Sequence, residues 1–441
     1  MFGTSGIRGT VGETVTASLG RDLGCAIAAW GASRCVIGRD PRPSGRYLAR
    51  AVESGLMECG VDVIDVGMAA TPTVARSVAW CDAAAGVVVT ASHNPPTDNG
   101  FKLWHRSGQA FRQDDQAVIE SHLTGDAPMP ESRWTDVGSR TRWPLASERH
   151  LDVLVDAVEV AAPLNVVVDI GNGVGQVTAR ALDSLGCHVT TLNGQPDGRF
   201  PGRPSEPSQE HCEDLRRVVP AIGADLGIAH DGDADRMRAV DETGAFPTGD
   251  ELLALFAVQE VNEGDRIAAP VDTSLAVADA LESRGASLSR TRVGDVYVAE
   301  RTRADDVVFG GEPSGAWIWP AESRCPDGPL AACKLVELVA REGPLSSLLD
   351  AIETYPLCRT AIPVEDKTTV MRGIREALEA AYDDIDTLDG IRVDVSDGWL
   401  LIRPSGTESI IRITAEAREA SRAEALLEEG QDLVNAQSSA G

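Results

Sequence analysis

Three times along the chain a short apolar run leads into a glycine- or proline-bearing loop, then an amphipathic stretch, then a second short apolar run. In the first copy residues 35–40 read as a strand. Leu48, Ala51, Val52, Leu56 and Cys59 then fall on one helical face, and 61–64 read as the next strand. In the second, strand 165–169 is followed by a helix carrying Val177, Ala181 and Leu185 and by strand 186–189. In the third, strand 267–271 precedes a helix through Leu275, Ala278 and Leu281 and strand 285–288. Apolar spacings of three and four mark helices, and short β-branched runs mark buried parallel strands. Three such repeats predict three α/β domains of similar topology with mixed, mostly parallel sheets.

The pattern changes near the end. A helix over 369–382, strands at 391–395, 399–402 and 410–414, and a last helix over 422–434 predict a small α+β domain with an antiparallel sheet. A polar segment rich in Pro, Gly and Ser, 125–144, places the first linker in or just after it, and 196–207 reads as a proline-rich loop. The expected domains are 1–148, 149–246, 247–360 and 361–441.

Composition narrows the class. The formal charge is −28, and Lys102, Lys334 and Lys367 are the only lysines. No basic stripe is visible in sequence, so a nucleic-acid partner is not expected. The acid excess predicts a chain adapted to high salt, where screening removes self-repulsion. The nine cysteines form no C-x-x-C pair, which argues against a disulfide framework or a structural zinc site. The opening residues lack a basic stretch followed by an apolar core, and no run is long enough to span a bilayer. A cytoplasmic chain with no membrane partner is expected.

The chemistry concentrates in four places. Thr90-Ala-Ser-His-Asn-Pro95 follows the apolar run 83–89, so Ser92 sits in the turn after a strand, where open α/β sheets place their reactive groups. Ser92 reads as a helix-capping serine, as the nucleophile of a Ser-His-Asp hydrolase, or as a phosphate carrier. Asp231-Gly-Asp-Ala-Asp-Arg236 sets three carboxylates on alternate residues after a strand, able to converge on one hard cation. A solvated acidic turn is one alternative. An EF-hand-type calcium loop is another, with Glu242 at its twelfth position, although Arg236 stands where that loop needs glycine. Mg²⁺ is preferred to Ca²⁺ because few ligands are offered. A phosphorylated Ser92 sharing that ion would account for both motifs.

Arg403-Pro-Ser-Gly-Thr407 joins a guanidinium to hydroxyls and free backbone N–H groups, a clamp for a dianionic phosphate or an ordinary turn. Gly311-Glu-Pro-Ser-Gly315 offers a carboxylate and a hydroxyl suited to sugar hydroxyls, or is again only a turn. Lys102, near Ser92 in sequence, is a candidate acid/base or a surface lysine. Gly171-Asn-Gly-Val-Gly175 has the wrong spacing for a dinucleotide fingerprint.

Taken in order, Phe2-Gly-Thr-Ser-Gly-Ile-Arg-Gly9, Gly38-Arg-Asp-Pro-Arg42, Thr90–Pro95, Asp98-Asn-Gly-Phe-Lys102, Asp231–Arg236, Gly311–Gly315 and Arg403–Glu408 resemble the α-D-phosphohexomutase family over nearly the whole chain. The resemblance implies four domains around a central cleft, a phosphoserine at Ser92, and one Mg²⁺ held by Ser92, Asp231, Asp233 and Asp235. It implies phosphoryl-transfer roles for Arg8, His93 and Arg236 and acid/base work for Lys102. Glu312 and Ser314 would hold sugar hydroxyls, and Arg403, Ser405, Gly406 and Thr407 would hold the non-reacting phosphate. The implied reaction interconverts hexose 1-phosphate and 6-phosphate through a 1,6-bisphosphate, which also serves as activator. The partner is a small-molecule sugar phosphate, and the chain would be a monomer or homodimer. Chain length and the opening and closing motifs are most similar to members taking glucosamine phosphates, with mannose and glucose phosphates as rivals. A Mg²⁺-dependent sugar phosphatase is the alternative from another class. Three positions depart from the family pattern: Ala234 for glycine, Ser409 for proline, and Ala316 where histidine is usual.

Overall fold

A computed structural model describes residues 1–3, 6–130, 133–406 and 408–439. The chain opens with β1 (Ile7–Thr10), α1 (Ala17–Trp30), β2 (Arg34–Arg39), α2 (Gly45–Glu58), β3 (Asp62–Met68), α3 (Thr71–Trp80), β4 (Ala85–Val89), β5 (Asp98–His105), α4 (Gln113–Thr124) and β6 (Arg140–Arg142). These strands form one six-stranded sheet in the order β1-β5-β4-β2-β3-β6. Its β4-β2-β3-β6 portion is parallel, and β5 runs antiparallel to both β1 and β4.

Period-two alternation explains how this sheet is covered. Ile37, Val87 and Val89 face one way, against Leu23 and Ile27 of α1 and Leu48 and Val52 of α2. Val36 and Val88 face the other way, against Val74 and Val78 of α3. Each fully buried valine contributes about 1.5–3 kcal/mol. With both faces covered, β4 has no polar positions, which is why it reads as an unbroken apolar run.

Next come α5 (Ala146–Asp156), β7 (Asn165–Asp169), α6 (Gln176–Ser184), β8 (His188–Leu192), α7 (Glu213–Ala221), β9 (Leu226–His230) and β10 (Met237–Asp241). The second sheet has the order β10-β9-β7-β8 and is parallel except for β10. It belongs to the same compact unit as the first, residues 1–249, together with the returning segment 314–349.

The second unit holds residues 250–313 and 350–441. It follows α8 (Gly249–Glu260) with β11 (Arg266–Pro270), α9 (Leu275–Glu282), β12 (Ser287–Thr291), α10 (Asp295–Arg301) and β13 (Val307–Glu312). The parallel order is β12-β11-β13. The returning segment of the first unit carries β14 (Ala316–Ile318), α11 (Gly328–Glu342) and α12 (Leu345–Leu349). The chain closes with β15 (Leu357–Pro363), α13 (Lys367–Ala381), β16 (Ile391–Val395), β17 (Gly398–Pro404), β18 (Ile410–Ala417) and α14 (Ala420–Ser439), an antiparallel sheet β15-β18-β17-β16 backed by helices. Within this unit Glu416 of β18 ties the antiparallel sheet to the start of α9, accepting from Leu275 N at 2.7 Å and, inside its own sheet, from Trp399 Nε1 at 2.7 Å.

Several expectations need correction. Segment 125–144 is not only a linker, because β6 inside it pairs with β3. Strand β15 straddles the expected boundary at 360/361 and pairs along its whole length with β18. In α6 the buried face carries Leu182, whereas Leu185 caps the helix. In α9 it carries Ala276, Val277 and Leu281, not Leu275 and Ala278. Cys59 caps α2 and lies outside its buried face. All nine cysteines are free thiols, six of them buried. Among the described residues no helix is long and apolar enough to cross a membrane.

Candidate active site

The loop after β4 is held in an unusual backbone state. Ser92 has φ 51, the left-handed region, which costs a non-glycine residue on the order of 1–3 kcal/mol. Its surroundings enforce it. Ser92 N donates to Thr90 Oγ1 at 2.9 Å, while Ser92 O accepts from Arg42 Nη2 at 2.9 Å and Ser205 Oγ at 2.8 Å. Arg42 is fully buried and also donates to the carbonyls of Asn94, Pro95 and Asp98, and its Nε meets Asp40 at 3.0 Å. One guanidinium thus pins the loop at four carbonyls. No helix follows Ser92, so the capping reading falls away.

The pinned loop aims the Ser92 hydroxyl at the second sheet. Ser92 Oγ donates to Asp231 Oδ2 at 2.6 Å, and the serine is 1% exposed. Asp231 follows β9, and Gly232 lets the two loops touch: a Cβ there would lie 2.9 Å from Ser92 O and 2.6 Å from Ser205 Oγ. Asp231, Asp233 and Asp235 are all buried, and one carboxylate oxygen from each lies within 4.8 Å of the others. Between them Ala234 holds φ 57, which gives the usual glycine at that position a steric reason.

Three buried carboxylates so close must be neutralised. Lys102 of β5 supplies one charge, its Nζ lying 2.7 Å from Asp233 Oδ2 and also bonding Asp235. Thr71, at the start of α3, donates Oγ1 to the same Asp233 oxygen at 2.6 Å. Burial pushes the Asp233 carboxyl up, but the Lys102 charge and hydrogen bond outweigh it and hold the acid below the usual carboxylate range. Asp231, which faces burial and both neighbouring acids without that contact, is raised well above the range. Burial alone would lower Lys102; Asp233 and Asp235 raise it above its ordinary value, so it is firmly an ammonium.

Among the described residues Asp233 Oδ1 is buried with no hydrogen-bond partner. An orphaned carboxylate oxygen beside two more acids is a donor set for a hard divalent cation of the Mg²⁺ type. The residues therefore fit the metal. The EF-hand alternative does not hold, because Glu242 turns away to bond Ser346.

Arg8, His93 and Arg236 gather around this centre. Burial, then the charges of Arg236, Arg8 and Lys102, push the His93 imidazole down to about 2, so the ring is neutral at neutral pH. Its Nδ1 lies 3.4 Å from Ser92 Oγ. Arg8 Nε is buried without a hydrogen-bond partner among the described residues. Arg236 N donates to Asp231 Oδ1 at 3.2 Å, and residue 236 bridges Ala316 of β14.

The remaining candidates lie elsewhere in the chain. Glu312 ends β13 and accepts from Gly294 N at 2.7 Å, and Ser314 begins the returning segment of the first unit. In the second unit Arg403 meets Asp389 at 3.4 Å, and Ser405 Oγ accepts from Glu408 N at 3.2 Å. Lys367 Nζ braces the same loop through Ser405 O at 2.5 Å and Glu408 O at 2.7 Å. Among the described residues, chain neighbours aside, nothing lies within 4 Å of where a Gly406 Cβ would sit. Thr407 lies outside the described residues.

Sequence reading missed Arg42, Thr71 and Ser205 around Ser92 and the acidic loop, and in the second unit it missed Lys367 beside the loop that carries Ser405. Arg42 lay within a quoted motif, and Lys367 stood out only as one of three lysines. Thr71 and Ser205 carried no local signal.

Three α/β domains followed by an antiparallel α+β domain, with a serine loop set against an acidic loop, form the architecture of the phosphohexomutases. The comparisons agree. Phosphoglucomutase/phosphomannomutase alpha/beta/alpha domain I matches residues 1–128, domain II 148–244, domain III 248–355, and the C-terminal domain 360–432. The chain is 46% identical over 441 residues to a probable phosphoglucosamine mutase of Methanopyrus kandleri, covering 98% of this chain and 97% of that one. It is 44% identical to a probable phosphoglucosamine mutase of Methanothermobacter thermautotrophicus, covering 96% and 95%. A crystal structure of a phosphoglucomutase/phosphomannomutase family protein from Burkholderia thailandensis superposes with a TM-score of 0.86 at 28% identity, covering 99% of this chain and 98% of that one. The chain belongs to the α-D-phosphohexomutase family and is an isomerase of the mutase type.

Proposed function

We propose that the chain interconverts a hexose 1-phosphate and its 6-phosphate through a phosphoryl group carried on Ser92 Oγ, with glucosamine phosphate as the preferred sugar. The observation that carries this reading is the 2.6 Å bond from Ser92 Oγ to Asp231, beside the orphaned oxygen of Asp233. The relatives called probable phosphoglucosamine mutase support the choice of sugar.

In the first half-reaction the P–Oγ bond of phosphorylated Ser92 breaks and a bond forms from phosphorus to the sugar's free hydroxyl, whose proton in net passes to the Ser92 Oγ left behind. The product is a 1,6-bisphosphate. In the second half its other phosphoryl group returns to Ser92 Oγ, and the serine's proton in net passes to the sugar oxygen left behind. Lys102, held as an ammonium, is the donor; neutralisation of Asp233 and Asp235 by a divalent ion would loosen that hold and ease its turn as acceptor. One Mg²⁺, held by Asp231, Asp233, Asp235 and an oxygen of phosphorylated Ser92, would supply charge stabilisation during transfer. Arg8, Arg236 and neutral His93 offer further donors to the moving group. Glu312 and Ser314 would take sugar hydroxyls; Arg403, Ser405, Gly406 and Thr407 would hold the phosphate that does not react. A hexose 1,6-bisphosphate restores phosphorylated Ser92 when it is lost.

Nine free thiols suit a reducing cytoplasm.

The test compares glucosamine, mannose and glucose 1-phosphates with Mg²⁺ and bisphosphate present. The highest kcat/KM is expected with the glucosamine compound. Turnover of none of them would overturn the reading, and free phosphate in excess over isomer would favour a phosphatase.

A further inference from the structure

Beside β2 and β3, on the first sheet, lies a cavity of about 890 Å³. Five arginines line it: Arg39, Arg46, Arg50, Arg140 and Arg142. They come from β2, from α2 and from the edge strand β6. A chain of formal charge −28 has little reason to assemble such a cluster unless something anionic occupies it.

Two acids also line the cavity, Glu53 and Asp65, and both are already matched. Glu53 Oε2 receives Arg50 Nη1 at 2.5 Å and Arg140 Nε at 2.9 Å. Asp65 pairs with Arg140 and Gly67 N. Among the described residues three guanidiniums form no ion pair with a carboxylate, although the charges of Asp40 and Asp65 still act on Arg39. Arg39 bonds only a backbone carbonyl, Asp40 O, at 3.0 Å. Arg46 and Arg142 make no side-chain hydrogen bond or ion pair among the described residues, and both are exposed. The crowding registers on Arg39, whose guanidinium is lowered from its ordinary value by burial and then by the charge of Arg46. Tyr47 and Met68, 45% and 42% exposed, add an aromatic and an apolar surface to the same cavity.

We infer that this cavity is a binding site for a small polyphosphate anion, separate from the Ser92 centre. Planar guanidiniums take phosphate oxygens in pairs, and three unmatched ones suit a chain of two or three phosphoryl groups better than a lone phosphate. The volume falls in the range of small-molecule sites, about 300–1,000 Å³, and would admit a nucleoside polyphosphate with its base against Tyr47.

The experiment is a calorimetric titration at low salt without Mg²⁺, first with inorganic tripolyphosphate and then with a nucleoside triphosphate. Saturable binding of one anion per chain is expected, and it should persist when a hexose 6-phosphate is present in saturating amount. The Arg46→Ala/Arg142→Ala variant should bind at least about tenfold more weakly. It should keep the wild-type melting temperature and kcat/KM, since neither side chain makes a hydrogen bond or ion pair among the described residues and both are exposed. Tighter binding of the nucleotide, lost in Tyr47→Ala, would identify an organic ligand; equal binding of both would identify the phosphate chain as the whole of what is recognised. No saturable binding, or binding that the hexose phosphate displaces and the arginine variant leaves unchanged, would overturn the inference.

Discussion

Ser92 Oγ and Asp231 Oδ2 lie 2.6 Å apart although 139 residues separate them in sequence. Two loops from two sheets meet there, and the contact converts a serine and an acidic turn into one chemical centre. Ser92→Ala is expected to remove turnover while changing stability by no more than about 1–3 kcal/mol, the cost of taking the serine's hydrogen bond from Asp231 Oδ2. Circular dichroism and a steady-state assay check this; wild-type rates in the variant would overturn the assigned role.

Lys102 is the counter-charge for Asp233 and Asp235. Lys102→Met leaves buried carboxylates uncompensated, which should cost about 3–5 kcal/mol in metal-free buffer. Mg²⁺ should restore much of that loss by binding the folded state alone. The readout is the melting temperature with and without Mg²⁺. A Mg²⁺ response no larger in the variant than in the wild type would contradict the shared role of ammonium and metal.

Arg42 holds four loop carbonyls at once. A lysine keeps the charge but loses the planar fork, so Arg42→Lys should lower stability by about 2–4 kcal/mol and reduce kcat as well. Urea unfolding and the mutase assay measure the two effects. Full activity in this variant would show that the loop needs no such anchor.

His230 is pushed down to about 4, chiefly by burial. Its Nδ1 donates to Arg236 O at 2.9 Å and its Nε2 faces Thr178 Oγ1 at 2.8 Å, an arrangement for the neutral ring. The unfolded histidine titrates near 6.5, so between that pH and about 4 the unfolded chain binds the extra proton. Stability from this group is therefore full above pH ~6.5 and falls as pH drops through the window, by about 3 kcal/mol in total. His230→Gln should flatten that part of the profile in urea titrations; an unchanged slope would refute it.

The net charge of −28 sets a salt dependence. Added KCl screens surface repulsion, so the melting temperature should rise from low to molar salt. A fall would sink the idea of adaptation to high salt.

Much of this was legible in the sequence, and what escaped has physical causes. Buried strands such as β4 and β7 announce themselves as apolar runs because both faces of their sheets are covered. Edge strands do not: β6 is Arg-Thr-Arg and wholly exposed, and β15 alternates with half-exposed positions and ends in Pro363. The helical faces of α6 and α9 were misphased because neighbouring leucines and alanines left several registers open. Around the acidic loop, Ser92 and the three aspartates were visible through short-range spacing. Arg42 and Thr71 were not, and neither was Lys367 in the second unit, since each acts through hydrogen bonds to residues distant in the chain. Three of the cavity's arginines come from residues 39–50, where four arginines stand against one aspartate, and two from the Arg-Thr-Arg of β6; what the sequence does not show is that these two distant stretches meet.

The most direct measurement is intact-mass and peptide mass spectrometry after incubation with hexose 1,6-bisphosphate and Mg²⁺. The expected result is one added phosphoryl group, located on Ser92 and lost again when glucosamine 6-phosphate is supplied without bisphosphate. A phosphoryl group on another residue, or none at all in a turning-over enzyme, would contradict the account.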